Sequence, residues 1–166
     1  MFGIAGFKHA GKTTLTERLV AELSQRGYVV STVKHAHHTF EVDQPGRDSW
    51  RHREAGAREV AIVSTNRWAL IHELRGEPEP PLQDILARLG PCDIVITEGY
   101  KRESHPKIEV RDPALGHPEL ANGDPSVVAI ASAAPVAGSA LPVFDRDDVT
   151  AIANFIVAHV GLEPRR

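Results

Sequence analysis

Apolar positions along this chain change their period from segment to segment, and that rhythm predicts its layout. Phe2 to Ala5 is an unbroken apolar run, as in a strand buried on both faces, and Gly6 to Lys12 is the turn after it. Thr13 to Arg26 carries Leu15, Leu19 and Leu23 four residues apart, the stripe of a helix, with Gly27 as the residue that stops it. Tyr28 to Val33 reads as a second strand. A polar stretch from Lys34 to Asp43 and a Pro45-Gly46 turn follow, after which Asp48 or Ser49 caps a helix running to about Ala55 and closing at Gly56. Val60 to Ser64 pairs as a hairpin with Trp68 to Leu74 through Thr65-Asn66-Arg67. Residues 76–81 form a surface loop, and Leu82, Ile85, Leu86 and Leu89 mark a short helix. Further strands are expected at Ile94 to Thr97, Lys107 to Val110, Val127 to Ala131 and Leu141 to Phe144. Val149 to Val160 closes the pattern as an amphipathic helix. Strands alternating with helices imply a largely parallel sheet covered on both faces.

Composition sharpens this picture in three places. At 166 residues the chain is expected to form one domain, residues 1–166. The net charge of −3 and pI near 6.3 argue against bulk nucleic-acid binding. Cys92 is the only cysteine, which excludes an internal disulfide and fits a reducing cytoplasm, and no secretory signal is visible. Val127 to Phe144 lacks charge over nearly the length of a membrane span. Pro135, Gly138 and Pro142 interrupt it, so it is expected to be strand, loop and strand rather than a membrane helix.

The turn after the first strand carries the chemistry. Gly6-Phe7-Lys8-His9-Ala10-Gly11-Lys12-Thr13 fits G-x-x-x-x-G-K-[ST], between an apolar strand and a leucine-striped helix. Gly6 and Gly11 allow backbone dihedrals that let successive N–H groups converge on phosphate oxygens, and the helix N-terminus adds partial positive charge. Lys12 would reach the β- and γ-phosphates and Thr13 would ligate Mg²⁺. The motif makes the expected fold a P-loop NTPase three-layer α/β sandwich, with a β-hairpin extension. A second carboxylate near the metal must come from Asp93 or Glu98, at opposite ends of one strand and roughly 16 Å apart at ~3.3 Å per residue. Ligands gather at the carboxyl ends of such strands, which selects Glu98 and leaves Asp93 as a solvated turn residue.

Lys34-His35-Ala36-His37-His38 leaves the second strand beside this cradle. Those imidazoles could contact a nucleotide or a second phosphorylated ligand, hold a transition metal, or form a solvated loop. Asp43 and Asp48 in the same region could hold Mg²⁺ through water, and Asp48 could equally be a helix cap. Two basic groups, Arg47, Arg51, Arg53 and Arg58 and then Lys101, Arg102, Lys107 and Arg111, suggest an anionic partner beyond the nucleotide.

Three segments, "GFKHAGKTTL", "VKHAHHTFEVDQPGRDSWRHREAGA" and "DIVITEGYKRESHPKIEVR", together resemble the family of molybdopterin-guanine dinucleotide biosynthesis adapter proteins. The likeness is strong over about residues 1–112 and weak beyond. It implies a homodimer that binds GTP with Mg²⁺, hydrolyses it slowly, and assists the molybdopterin guanylyltransferase that joins GMP to molybdenum cofactor. It assigns GTP to Gly6, Lys8, His9, Ala10, Gly11, Lys12, Thr13 and Thr14, with His35, His37, Asp48, Gly99 and Lys101 lining a site for nucleotide or pterin phosphate. It sets Glu98 at the Walker B position; taken with the reading of the residues above, hydrolysis is expected to depend on Lys12 and Glu98, and the expected metal ligands are Thr13, Glu98 and, through water, Asp43. No N-K-x-D motif reads guanine in this chain, and Ala131-Ser132-Ala133 stand where the family often carries an acidic residue. Two rival readings are a small-molecule P-loop kinase, with the arginines as a lid, and a nickel-type metallochaperone GTPase using the histidines.

Overall fold

The structure is a computed structural model that describes residues 1–36 and 40–163. Its strands are β1 (Phe2–Ala5), β2 (Val30–Lys34), β3 (Glu59–Val63), β4 (Trp68–His72), β5 (Ile94–Glu98), β6 (Lys107–Arg111), β7 (Val127–Ser132) and β8 (Val143–Asp145). Its helices are α1 (Lys12–Gln25), α2 (Asp48–Glu54), α3 (Leu82–Leu86) and α4 (Val149–Val160), with a 3₁₀ turn at Pro113–Leu115. They group into two compact units, residues 1–35 with 88–166 and residues 36–87.

In the first unit six strands form a wholly parallel sheet in the order β2-β5-β1-β6-β7-β8. One face carries Phe2, Ile4, Ile94, Ile96, Ile108 and Val110, fully shielded by Leu15, Leu19 and Leu23 of α1 and Ile152, Ala153 and Ile156 of α4. The register sets Ile4 beside both Glu98 and Ile108, so Glu98 ends β5 on the side that α1 covers. On the opposite face Thr97, Lys107, Glu109 and Ser132 are buried although polar. Loops cover them there. Lys107 donates to the carbonyls of Lys101 (3.2 Å) and Glu103 and pairs with Asp124 at 3.1 Å. Glu109 accepts from the N–H groups of Leu120 (2.9 Å) and Ala121 (3.0 Å).

The strand boundaries follow from backbone accounting. β2 begins at Val30 rather than Tyr28 because the Tyr28 N–H still closes α1 on the Leu23 carbonyl at 3.1 Å, while Gly27 turns at φ 85°. The apolar stretch from Val127 to Phe144 is β7, a loop and most of β8, and among the described residues no helix is long and apolar enough to cross a membrane.

The second unit holds α2, the antiparallel β3–β4 hairpin and α3. Arg47 is the N-cap of α2, with Asp48 inside its first turn. Arg53 lies at the centre of this unit, pairing with Asp43 (2.7 Å), Glu41 (2.7 Å) and Glu73 (2.6 Å).

Candidate functional site

β1 ends at Ala5 and α1 begins at Lys12, so residues 6–11 turn between them at the carboxyl edge of the sheet. Three of the six have positive φ: Gly6 (149°), His9 (66°) and Gly11 (99°). A Cβ on Gly6 would sit 2.6 Å from the Val110 carbonyl, so this position must be glycine for the turn to lie against β6. Lys12 folds its ammonium back onto the Phe7 carbonyl at 2.7 Å. The Thr13 hydroxyl donates to Glu98 Oε1 at 2.9 Å, and Lys34 Nζ lies 3.1 Å from the same oxygen. Lys34 and Glu98 are register partners on adjacent parallel strands, which is why they meet.

The local charge is dense and positive. Burial, then the neighbouring Lys101, holds the Lys12 amine below its ordinary pKa, with Glu98 opposing. Burial likewise lowers Lys101, whose ammonium stands 4.0 Å from the centre of the Phe7 ring. Such clustered amines are stabilised by a polyanion, and the turn presents unpaired helix-start N–H groups to one.

Glu98 and Asp93 differ as their positions on β5 demand. Glu98 is 7% exposed and touches the cradle. Asp93, before the strand, is engaged rather than solvated: its carboxylate accepts from the Val29 N–H at 2.6 Å and fixes the start of β2. Gly99 (φ 99°) leaves β5 tightly against His35, whose own N–H donates to the Glu98 carbonyl at 2.9 Å. The His35 ring lies 5.1 Å from that of Tyr100. Lys8 and His9 are exposed on the turn, Ala10 is buried beneath it and Thr14 is exposed on α1. His37 lies outside the described residues.

Asp43 and Asp48 belong to the second unit. Both Asp43 oxygens receive Arg53, which keeps Asp43 below the usual carboxylate range and Arg53 firmly charged. A carboxylate engaged in that way is not an open metal ligand. Among the described residues no three His, Cys, Asp or Glu side chains come together as a metal cluster.

Arg146 is the residue that sequence reasoning missed. It follows β8 immediately, donates to the Ala10 carbonyl at 2.9 Å, and packs over Gly11, where an added Cβ would meet its guanidinium. Asp112 holds it from the other side at 3.6 Å. Its position one residue past a strand's carboxyl end was the available signal. An arginine is therefore seated against the cradle, where the sequence offered arginines only as the lid of the rival kinase reading.

This geometry defines the class: a parallel α/β protein of P-loop NTPase-like fold. The chain belongs to the family described as "MobB: Molybdopterin guanine dinucleotide synthesis protein B", which it matches over residues 1–133. It is 36% identical over 160 residues to the molybdopterin-guanine dinucleotide biosynthesis adapter protein of Escherichia coli K12, covering 95% of this chain and 91% of that one. The adapter protein of Haemophilus influenzae is 38% identical, covering 94% and 86%. Among solved structures, one titled "Crystal Structure of molybdopterin-guanine biosynthesis protein B (mobB)" superimposes with a TM-score of 0.73 at 31% identity, covering 95% of this chain and 98% of that one.

Proposed function

We infer that this chain is an adapter protein of molybdopterin guanine dinucleotide synthesis that binds GTP and Mg²⁺ on the Gly6 to Thr14 cradle. The observation that carries the reading is the contact of Thr13 with Glu98, which sets a hydroxyl and a carboxylate side by side at the start of α1. Two oxygen donors at the mouth of a glycine-bracketed turn suit a small hard cation that keeps most of its water. Thr13 and Glu98 would hold Mg²⁺; Asp43 is left out of the set because Arg53 occupies it. The ion would neutralise charge on the phosphate oxygens.

The chain's own groups do the rest. Lys12 leaves the Phe7 carbonyl for the phosphates, and Lys34 and Lys101 screen the remaining charge. Arg146 is engaged by the Ala10 carbonyl and Asp112, and the sequence shows no obvious water-orienting glutamine at a switch position. Hydrolysis by the protein alone is therefore expected well below the ~1–100 s⁻¹ of kinases, since a correctly placed arginine is itself worth ~10³–10⁵ in rate. Phosphate release by purified protein tests this, and several turnovers per second without a partner would favour an autonomous enzyme such as a kinase.

The reading includes a homodimer and a molybdopterin guanylyltransferase as partner, in the cytoplasm. Val63 faces Trp68 across the hairpin, and both are more than two-thirds exposed, at 77% and 70%. Apolar pairs of this kind suit a protein interface. Light scattering is expected to give twice the mass of one chain, and Trp68→Ser to halve it. Co-purification with the guanylyltransferase is expected to depend on added GTP; its absence under all nucleotide conditions would contradict the adapter role.

A further inference from the structure

The phosphate turn is gripped from outside at two of its carbonyls. Arg146 Nη1, arriving from the end of β8, donates to the Ala10 carbonyl at 2.9 Å. His117 Nε2 donates to the Lys8 carbonyl at 3.1 Å, from a ring stacked on Phe7 with centres 5.2 Å apart. The neighbouring Phe7 carbonyl is taken from within the turn instead, by the Lys12 ammonium at 2.7 Å and the Ala10 N–H at 3.3 Å.

The two outer contacts decide where N–H groups point. Among the described residues no peptide bond is cis, and across a planar trans peptide the C=O and the following N–H face opposite ways. A Lys8 carbonyl fixed on His117 turns the His9 N–H away from that ring. An Ala10 carbonyl fixed on Arg146 likewise turns the Gly11 N–H away from the guanidinium. His9 sits between the two anchored peptides at φ 66°, a conformation that a residue with a side chain keeps only where its surroundings impose it.

Arg146 is itself built in. Its N–H donates to the Ser132 carbonyl at 2.9 Å at the end of β7, and Asp112 stands 3.6 Å from the same Nη1. A Cβ on Gly11 would come within 3.1 Å of that nitrogen, so glycine there also leaves the guanidinium room to reach the carbonyl beside it. To touch a phosphate directly, Arg146 would have to leave both the Ala10 carbonyl and Asp112.

We propose that Arg146, with His117 as its lesser counterpart, is a positioning residue of the cradle: from behind peptides 10–11 and 8–9 the two side chains aim the Gly11 and His9 N–H groups at phosphate before it arrives. The proposal rests on the nucleotide-cradle reading above. It adds that the turn is shaped in advance by donors outside it, one of them contributed by the far end of the chain.

The test titrates tripolyphosphate, which has no base, and GTP into the full chain with Mg²⁺ by calorimetry, and follows the amides of residues 8–11 in the ligand-free protein by ¹⁵N relaxation dispersion. Arg146→Met should weaken tripolyphosphate and GTP by the same factor, about tenfold, the worth of one charge-assisted hydrogen bond set out of line. Arg146→Lys, which can still donate to the Ala10 carbonyl, should recover most of it. His117→Phe keeps the stack on Phe7 but loses the donor, and should cost about threefold, as for a neutral hydrogen bond. In Arg146→Met the amides of the turn should show exchange between conformations that wild type lacks. Should Arg146→Met not fold, His117→Phe decides by the same two readouts. Tripolyphosphate binding within twofold of wild type in both variants, while Lys12→Ala abolishes it, overturns the proposal and leaves the cradle standing. Weaker binding with the amides of the turn as still as in wild type also overturns it, since the arginine would then act as a charge alone. Wild type that does not bind tripolyphosphate contradicts the cradle, and the proposal with it.

Discussion

On the face of the six-stranded sheet that α1 and α4 cover, the strands contribute Phe2, Ile4, Ile96 and Ile108, all fully buried; on the other face Thr97, Lys107 and Glu109 are nearly as inaccessible, each 1% exposed. The first face is closed by helices through apolar contact. The second is closed by loops, and the closure is polar: Lys107 gathers the 101–103 carbonyls and Asp124, while Glu109 gathers two N–H groups and Arg111. The difference is functional as well as structural. Helices cannot present a ligand with loop backbone at close range, whereas loops pinned from beneath by buried charges can, and His117 and Lys101 both lie on such loops.

The comparison breaks most visibly at Glu109. Glu109→Ala leaves two loop N–H groups unpaired and Arg111 with Glu119 as its remaining carboxylate, and removing one partner of a buried pair costs about 3–5 kcal/mol. Leu19→Ala on the helix face should cost about 2–5 kcal/mol from lost burial and the cavity left behind. Chemical denaturation measures both. A loss below about 1 kcal/mol for Glu109→Ala would mean that the polar face is not a closed layer.

Glu98 sharpens the comparison, because it is the charge in which the apolar face ends. Glu98→Gln keeps an acceptor for Thr13 but loses the anion, and should weaken Mg²⁺-dependent GTP binding about tenfold, roughly 1.4 kcal/mol. Asp93→Asn should leave that binding unchanged. Calorimetry with and without Mg²⁺ distinguishes them, and the reverse pattern would overturn the assignment.

The smallest expected effect belongs to His105, held under the polar face by Thr97 at 2.8 Å. Burial, and next the Lys107 charge, lowers its pKa below the ordinary 6.5, with Glu103 and Asp124 opposing and the chain N-terminus adding to the lowering. The folded protein thus binds fewer protons than the unfolded chain below that value. Stability should fall as pH drops through the ordinary histidine range and be unaffected above it. Melting between pH 7.5 and 5.5 is expected to show this, and His105→Gln to flatten it.

The two faces also differ in how far the sequence disclosed them. The apolar face is written in the leucine spacing of α1, in Phe2 and Ile4, and in α4, which begins and ends at the expected residues. The polar face is not, because Lys-Ile-Glu-Val-Arg in β6 has the alternation of a strand with one side in water. Only the loops that fold over it reveal that Lys107 and Glu109 are interior, and the loops on either side of β6, residues 99–106 and 112–126, carry no periodicity to announce where they pack. At the site, the glycine spacing and strand polarity identified the turn and placed Glu98 beside it. Arg146 escaped because its approach to Ala10 joins residues 136 positions apart, a contact no local pattern encodes.

The central claim is that the 6–14 turn is a nucleotide cradle built on Lys12. Titrating GTP with Mg²⁺ into wild type and Lys12→Ala by calorimetry tests it most directly. Lys12 is the cation tied to the turn's own Phe7 carbonyl at 2.7 Å, poised for phosphate, so its loss should weaken affinity at least tenfold, about 1.4 kcal/mol or more. Equal affinity for the two proteins would contradict the account.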